Sequence, residues 1–291
     1  MGESVDGCTK GDNVSEHANE VKEGERFEFG ANWTRFLSVL DDERIEEAKR
    51  SLRSMIGVDS LEGMTFLDVG SGSGLFSLAA RMMGARVHSF DYDPKSVACA
   101  IELRRRYFPN DQNWVAEEGS VLDQDFLGSL GKFDIVYSWG VLHHTGQMWN
   151  ALENVSPLVN LGGRLFIAIY NDQGGTSPRW KLVKKIYCSG WLGRVLIKLV
   201  FYPYFALGRL VADLLKQRNP FTSYSEYKKV RGMSVLHDWV DWLGGYPFEV
   251  AKPEQIFDFY RLKGFQLERL KTCAGGLGCN EYVFSKQKSE S

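Results

Sequence analysis

The stretch Met64-Thr65-Phe66-Leu67-Asp68-Val69-Gly70-Ser71-Gly72-Ser73-Gly74 decides the fold. Its first half is a short apolar run bounded by turn residues and predicts a strand. Its second half places three glycines in five residues, so the chain can turn sharply and bring its backbone close to a ligand. Residues 75–84 (LFSLAARMMG) then predict a helix. The order is strand, glycine turn, helix.

Working outward, RVHSFD at 86–91 predicts a second strand. Asp93-Pro94 opens the next helix as N-cap and first helical residue, and that helix runs to about Tyr107. Further strands are expected at 113–117, 133–138 and 163–170, with helices between them. Strands alternating with helices mean a mostly parallel sheet. The alternation stops after Tyr170 and resumes with a helix at 253–263, a strand at 265–271, a glycine-rich loop at 274–278 and a strand at 281–285. The expected class is α/β: a doubly wound, mostly parallel seven-stranded sheet, with a C-terminal antiparallel hairpin and a helical insertion after strand five.

This divides the chain into five parts. Residues 1–26 are expected as a disordered acidic arm and 27–62 as an N-terminal helical segment. Within the second part, 35–57 predicts one helix through Phe36, Leu40, Ile45, Ala48, Leu52 and Met55, stopped by Gly57. Residues 63–170 form the core, 171–250 the basic, aromatic-rich insertion, and 251–291 the final helix and strands.

Composition narrows the class. Hydrophobic residues make up 44% of the 291 and charged residues 25%, as in an ordinary soluble globule. The net charge of −2 hides an asymmetry: Arg179 to Arg231 carries twelve Lys and Arg against two acids, Asp213 and Glu226. The five cysteines are scattered without a C-x-x-C pair, which predicts no disulfide framework and a reducing, cytoplasmic setting. Residues 3–25 are polar and lack the apolar core of a secretory signal. The most apolar stretch, Trp191 to Leu215, is interrupted by charges and expected to break at Pro203, so no membrane-crossing helix is predicted.

The glycine turn carries the chemistry. Asp91 ends the second strand, where a carboxylate accepts hydrogen bonds from ribose hydroxyls. Together these features predict a nucleoside ligand. The dinucleotide pattern G-x-G-x-x-G is not met, because Leu75 stands where its third glycine would be. Asp68, just before the turn, would repel a pyrophosphate but suits a ligand carrying sulfonium and ammonium charges.

At these residues the chain resembles the class I S-adenosylmethionine (SAM)-dependent methyltransferases, in wording closest to the quinone-biosynthesis O-methyltransferases. DVGSGSG (68–74) resembles their first motif, SFDYDP (89–94) their second, and FDIVYSWGVLHH (133–144) the end of their fourth strand. The resemblance covers about residues 60–170. It implies a Rossmann-like fold with SAM as co-substrate. It sets Gly70, Ser71, Gly72 and Gly74 against the methionine part, Asp91 on the ribose and Tyr92 beside the adenine. After the third strand such enzymes commonly carry Gly-Asp; here Gly119-Ser120-Val121 stands, so Ser120 takes the place of that aspartate. Trp139 to His144 would form the floor between donor and acceptor.

Transfer to a hydroxyl gains from a base, and His is suited to that role. His143 and His144 follow strand four, at the end where open α/β sheets bind ligands. A second cluster, His237-Asp238 with Asp241, is interleaved with Trp239 and Trp242; it offers either another base, His237, or an amphipathic helix with its tryptophans inward. No metal site is expected. The acceptor is expected to be a small or lipid-like molecule, methylated at oxygen. Segment 179–231 reads as a lid over the acceptor, a surface touching anionic membrane, a nucleic-acid platform, or a solvated basic face. The helical spacing of Leu192, Val195, Leu196, Leu199 and Val200 favours lid or membrane, and nucleic acid is disfavoured. Alternatives are an RNA or protein methyltransferase using the insertion, and a nucleoside-binding protein without turnover.

Overall fold

The computed structural model describes residues 10–215 and 235–287. Seven strands form one sheet: β1 (Thr65–Val69), β2 (Arg86–Asp91), β3 (Trp114–Glu118), β4 (Phe133–Trp139), β5 (Val159–Tyr170), β6 (Phe265–Lys271) and β7 (Cys279–Lys286). Their order is β3-β2-β1-β4-β5-β7-β6. The first five are parallel; β7 runs antiparallel between β5 and β6. The chain leaves β1 toward β2 on one side and returns to β4 on the other. Their C-terminal ends therefore open a crevice, where sheets of this kind bind ligands.

Strand alternation assigns the two faces. Leu67, Val69, Val136, Leu165 and Ile167 point to one core, shared with α6 (Gln124–Leu130), α7 (Met148–Val155) and α11 (Pro253–Arg261). Phe66, Ile135, Tyr137 and Phe166 point to the other, beneath α3 (Asp42–Leu52), α4 (Leu75–Met82) and α5 (Pro94–Tyr107). A continuous apolar run such as Leu165–Ile169 in β5 is what two covered faces require.

Several expectations are corrected here. Residues 35–57 do not form one helix: α2 (Gly30–Phe36) ends first, and α3 restarts behind Asp41, whose carboxylate accepts from the Arg44 N–H at 3.0 Å. Such a cap starts a new helix. The supposed disordered arm contains a helix, α1 (Lys10–Glu23). The expected break at Pro203 is absent, since α9 (Trp191–Leu215) runs through it. The proline forgoes a single backbone hydrogen bond there, to the carbonyl four residues back.

The insertion also contains α8 (Thr176–Cys188) and α10 (Val235–Gly244). Tyr187, Cys188, Ile197 and Leu243 make a small core of its own, packed against Phe27. Lys184 is fully buried. Its ammonium donates to the Trp242 carbonyl and lies 5.0 Å from the Phe248 ring centre, so burial of this cation is offset by a hydrogen bond and an aromatic face.

Asp93 fixes the N-terminal segment to the core. One oxygen caps α5 through the Lys95 N–H at 2.9 Å; the other accepts the buried Gly30 N–H at 2.7 Å. Asp93→Ala removes the cap and strands that N–H, so stability should fall by about 2–4 kcal/mol in urea unfolding. A loss below about 0.5 kcal/mol, the range of an ordinary surface change, would contradict this anchoring role.

Candidate active site

The glycine turn between β1 and α4 is pinned to the end of β2. The N–H groups of Gly70 and Ser71 donate to the Phe90 carbonyl at 2.9 and 3.0 Å. The Gly72 N–H donates to the Asp91 carboxylate at 2.8 Å. Gly70 has φ +75°, and a Cβ there would lie 2.3 Å from a Val141 methyl. Only glycine satisfies both the left-handed backbone and that close approach.

Above the turn lies a cavity of about 770 Å³. That is within the range of sites that enclose small ligands, about 300–1,000 Å³. Asp68, Gly70, Ser71, Gly72, Asp91, Tyr92, Ser120, Val121, Trp139 and His144 all line it. Gly74 lies at the start of α4, where a Cβ would meet Ala100 at 2.8 Å; its part is helix packing. Ser120 accepts from the Leu122 N–H at 3.2 Å and so shapes the turn after β3.

Two acids are strained by burial. Asp68 accepts the Ser77 hydroxyl at 2.6 Å, yet burial, aided by the Asp91 charge, pushes its carboxyl up to about 7. Burial pushes Asp91 up to about 6, although the Asp93 and Gly72 N–H groups oppose it. A cationic or hydrogen-bond-donating ligand would relieve both.

The two histidines separate. His144 lines the cavity, and its Nδ1 lies 2.7 Å from the Pro247 carbonyl. A carbonyl only accepts, so Nδ1 carries the proton and Nε2 keeps a free lone pair. Burial, with Lys184 and Arg26 nearby, holds the imidazole down to about 3, so it is neutral. His143 is fully buried and does not line the cavity, which corrects its expected place in the floor. Its Nδ1 accepts the Tyr170 N–H at 3.3 Å and its ring packs 4.0 Å from Tyr170. His237 falls on α10, but its side chain lies outside the described residues. Trp239 packs on Phe205 and Tyr202, and Trp242 on Trp180, as the amphipathic-helix reading expects.

Sequence reasoning missed the roof. Glu16, His17, Glu20, Arg26, Phe29 and Trp33 line the cavity from above. His17 meets Tyr92 edge-on at 5.3 Å. Arg26 pairs with Glu20, lies 4.9 Å over the Tyr92 ring and donates to the His144 carbonyl at 3.1 Å. The Trp33 indole covers Gly72, where a Cβ would come within 3.1 Å. Tyr137 adds a buried hydroxyl with no partner among the described residues. Burial and the Asp68 charge push its ionisation well up, so it stays a neutral donor.

Residues 67–165 match the family model described as a methyltransferase domain. The chain is 32% identical over 120 residues to a ubiquinone biosynthesis O-methyltransferase of Colwellia psychrerythraea, covering 40% of this chain and 46% of that one. It is 38% identical over 96 residues to a ribosomal protein L11 methyltransferase of Anoxybacillus flavithermus, covering 28% and 31%. The chain thus spans less than half the length of these two curated relatives. In fold it is similar to the structure of PKMT2 from Rickettsia typhi, at TM-score 0.55 and 14% identity over 82% of this chain and 52% of that one. The matched domain, the strand order and the glycine turn facing Asp91 make residues 67–165 similar to a methyltransferase domain.

Proposed function

We propose that this protein transfers a methyl group from SAM to the hydroxyl oxygen of a small or lipid-like acceptor. One observation carries the reading: a single roofed cavity is lined by Gly72, Asp91 and His144 together. Bound SAM supplies a methyl group on a positively charged sulfur that leaves readily. Asp91 accepts the ribose hydroxyls, and the glycine turn lies against the methionine part. Asp68 places negative charge beneath the ligand's positive groups. Phe29 and Trp33 exclude water, so the alignment of acceptor and donor supplies much of the rate. His144 Nε2 accepts the acceptor's hydroxyl proton as the oxygen attacks. Because the imidazole is weakly basic, its contribution falls at the low end of general-base effects. A roof this close to the glycine turn favours a small acceptor over a folded protein or RNA.

Asp91→Ala removes a charged acceptor of hydrogen bonds and should weaken S-adenosylhomocysteine binding by about 1.5–3 kcal/mol in calorimetric titration. Unchanged affinity would end the ribose assignment. The ligand binds the ionised carboxyls, which in the ligand-free protein form only above about 7 for Asp68 and about 6 for Asp91. Affinity should therefore fall as pH is lowered through that window. A flat profile would contradict the electrostatic reading.

His144→Ala should lower kcat about 10²-fold on an acceptor identified with isotope-labelled SAM, while leaving S-adenosylhomocysteine affinity unchanged. Since His144 is neutral down to about pH 3, wild-type kcat at saturating SAM should show no imidazole step at weakly acidic pH. Undiminished turnover in the variant would remove His144 as the base.

A further inference from the structure

The outward face of α9 is apolar and uncovered. Leu192, Val195, Leu196, Leu199 and Val200 recur at i, i+3, i+4, i+7 and i+8, so they share one side of the helix. All five are exposed, Leu192 by 66% and Leu199 by 70%, and Trp191 at the helix start by 72%. The inward side is apolar too: Ile197, Phe201 and Phe205 fill the small core with Tyr187 and Leu243. An exposed apolar stripe of this length marks an interaction surface.

The charges around it select the partner. Arg179, Lys181, Lys185 and Arg194 are exposed, and none forms an ion pair among the described residues. From Arg179 to Leu215 the only acid is Asp213, which is buried. An exposed apolar stripe, on a segment whose exposed cations form no ion pair among the described residues and whose one acid is buried, fits an anionic lipid surface: the stripe enters the acyl boundary and the segment's positive charge favours anionic headgroups. Trp191 and Tyr204 supply amphipathic rings suited to that boundary. No helix among the described residues is long and apolar enough to cross a membrane, so this one would lie along its surface.

We propose that α9 docks the protein on anionic membrane through its Trp191–Val200 face. The proposal does not depend on the acceptor, because docking is read without turnover.

The test is flotation of the full chain with phosphatidylcholine vesicles, with and without phosphatidylglycerol. The protein should float with the anionic vesicles, weakly with neutral ones, and less at high salt. Leu196→Glu with Leu199→Glu should cut partitioning about tenfold or more, with S-adenosylhomocysteine binding retained. Both side chains are exposed, so the core is not touched. Lys181→Glu with Lys185→Glu should reduce binding to anionic vesicles only. Absence of vesicle binding by folded wild type, or binding indifferent to the leucine changes, would overturn the proposal. So would a dimer in light scattering that Leu199→Glu dissociates without any lipid binding, since a second copy would then cover this face.

Discussion

The hydrogen bond from the Gly72 N–H to the Asp91 carboxylate is the contact on which the site depends. It ties the first βα turn to the end of the neighbouring strand. With the turn held there, the backbone takes left-handed values at Gly70, Gly72 and Gly74, and the missing Cβ atoms leave room for Val141, Trp33 and Ala100. The carboxylate is thereby fixed at the edge of the cavity but kept partly unsatisfied, since burial pushes it toward protonation. On the proposed function, a ligand with ribose hydroxyls completes the arrangement. The strand order supplies the rest: β1 and β4 part at their C-terminal ends, so His144, just past β4, faces the same cavity as Asp91.

The N-terminal segment turns this crevice into a chamber. Its polar anchors include Asp93 to Gly30, Arg26 to the His144 carbonyl, and His17 beside Asp93 at 3.7 Å, and Phe27 and Leu37 add apolar packing. Each polar anchor reaches a residue that also borders the ligand space. Asp93 and Tyr92 thus both line the cavity and hold the N-terminal segment over it.

The sheet and the donor site were legible because they rest on local signals: apolar strands, a glycine turn at fixed spacing, an N-cap aspartate before a proline. The roof was not. Residues 10–23 carry no apolar stripe, and what holds α1 is a set of contacts to residues such as Asp93 that are remote in sequence. The histidine pair was legible as a pair, yet adjacent residues in a one-turn helix point differently. Only the Pro247 carbonyl and the Tyr170 N–H, both distant in sequence, separate the free Nε2 of His144 from the enclosed His143. The spacing of Leu192 to Val200 showed a helix face, but which way that face points depends on how α8, α9 and α10 pack, a tertiary fact.

The account stands or falls on the nucleoside ligand of the glycine turn. Calorimetric titration of the full chain with S-adenosylhomocysteine and, separately, with NADH tests it most directly. Saturable binding of the first and none of the second is the predicted result. Binding of NADH alone, or of neither, would contradict it.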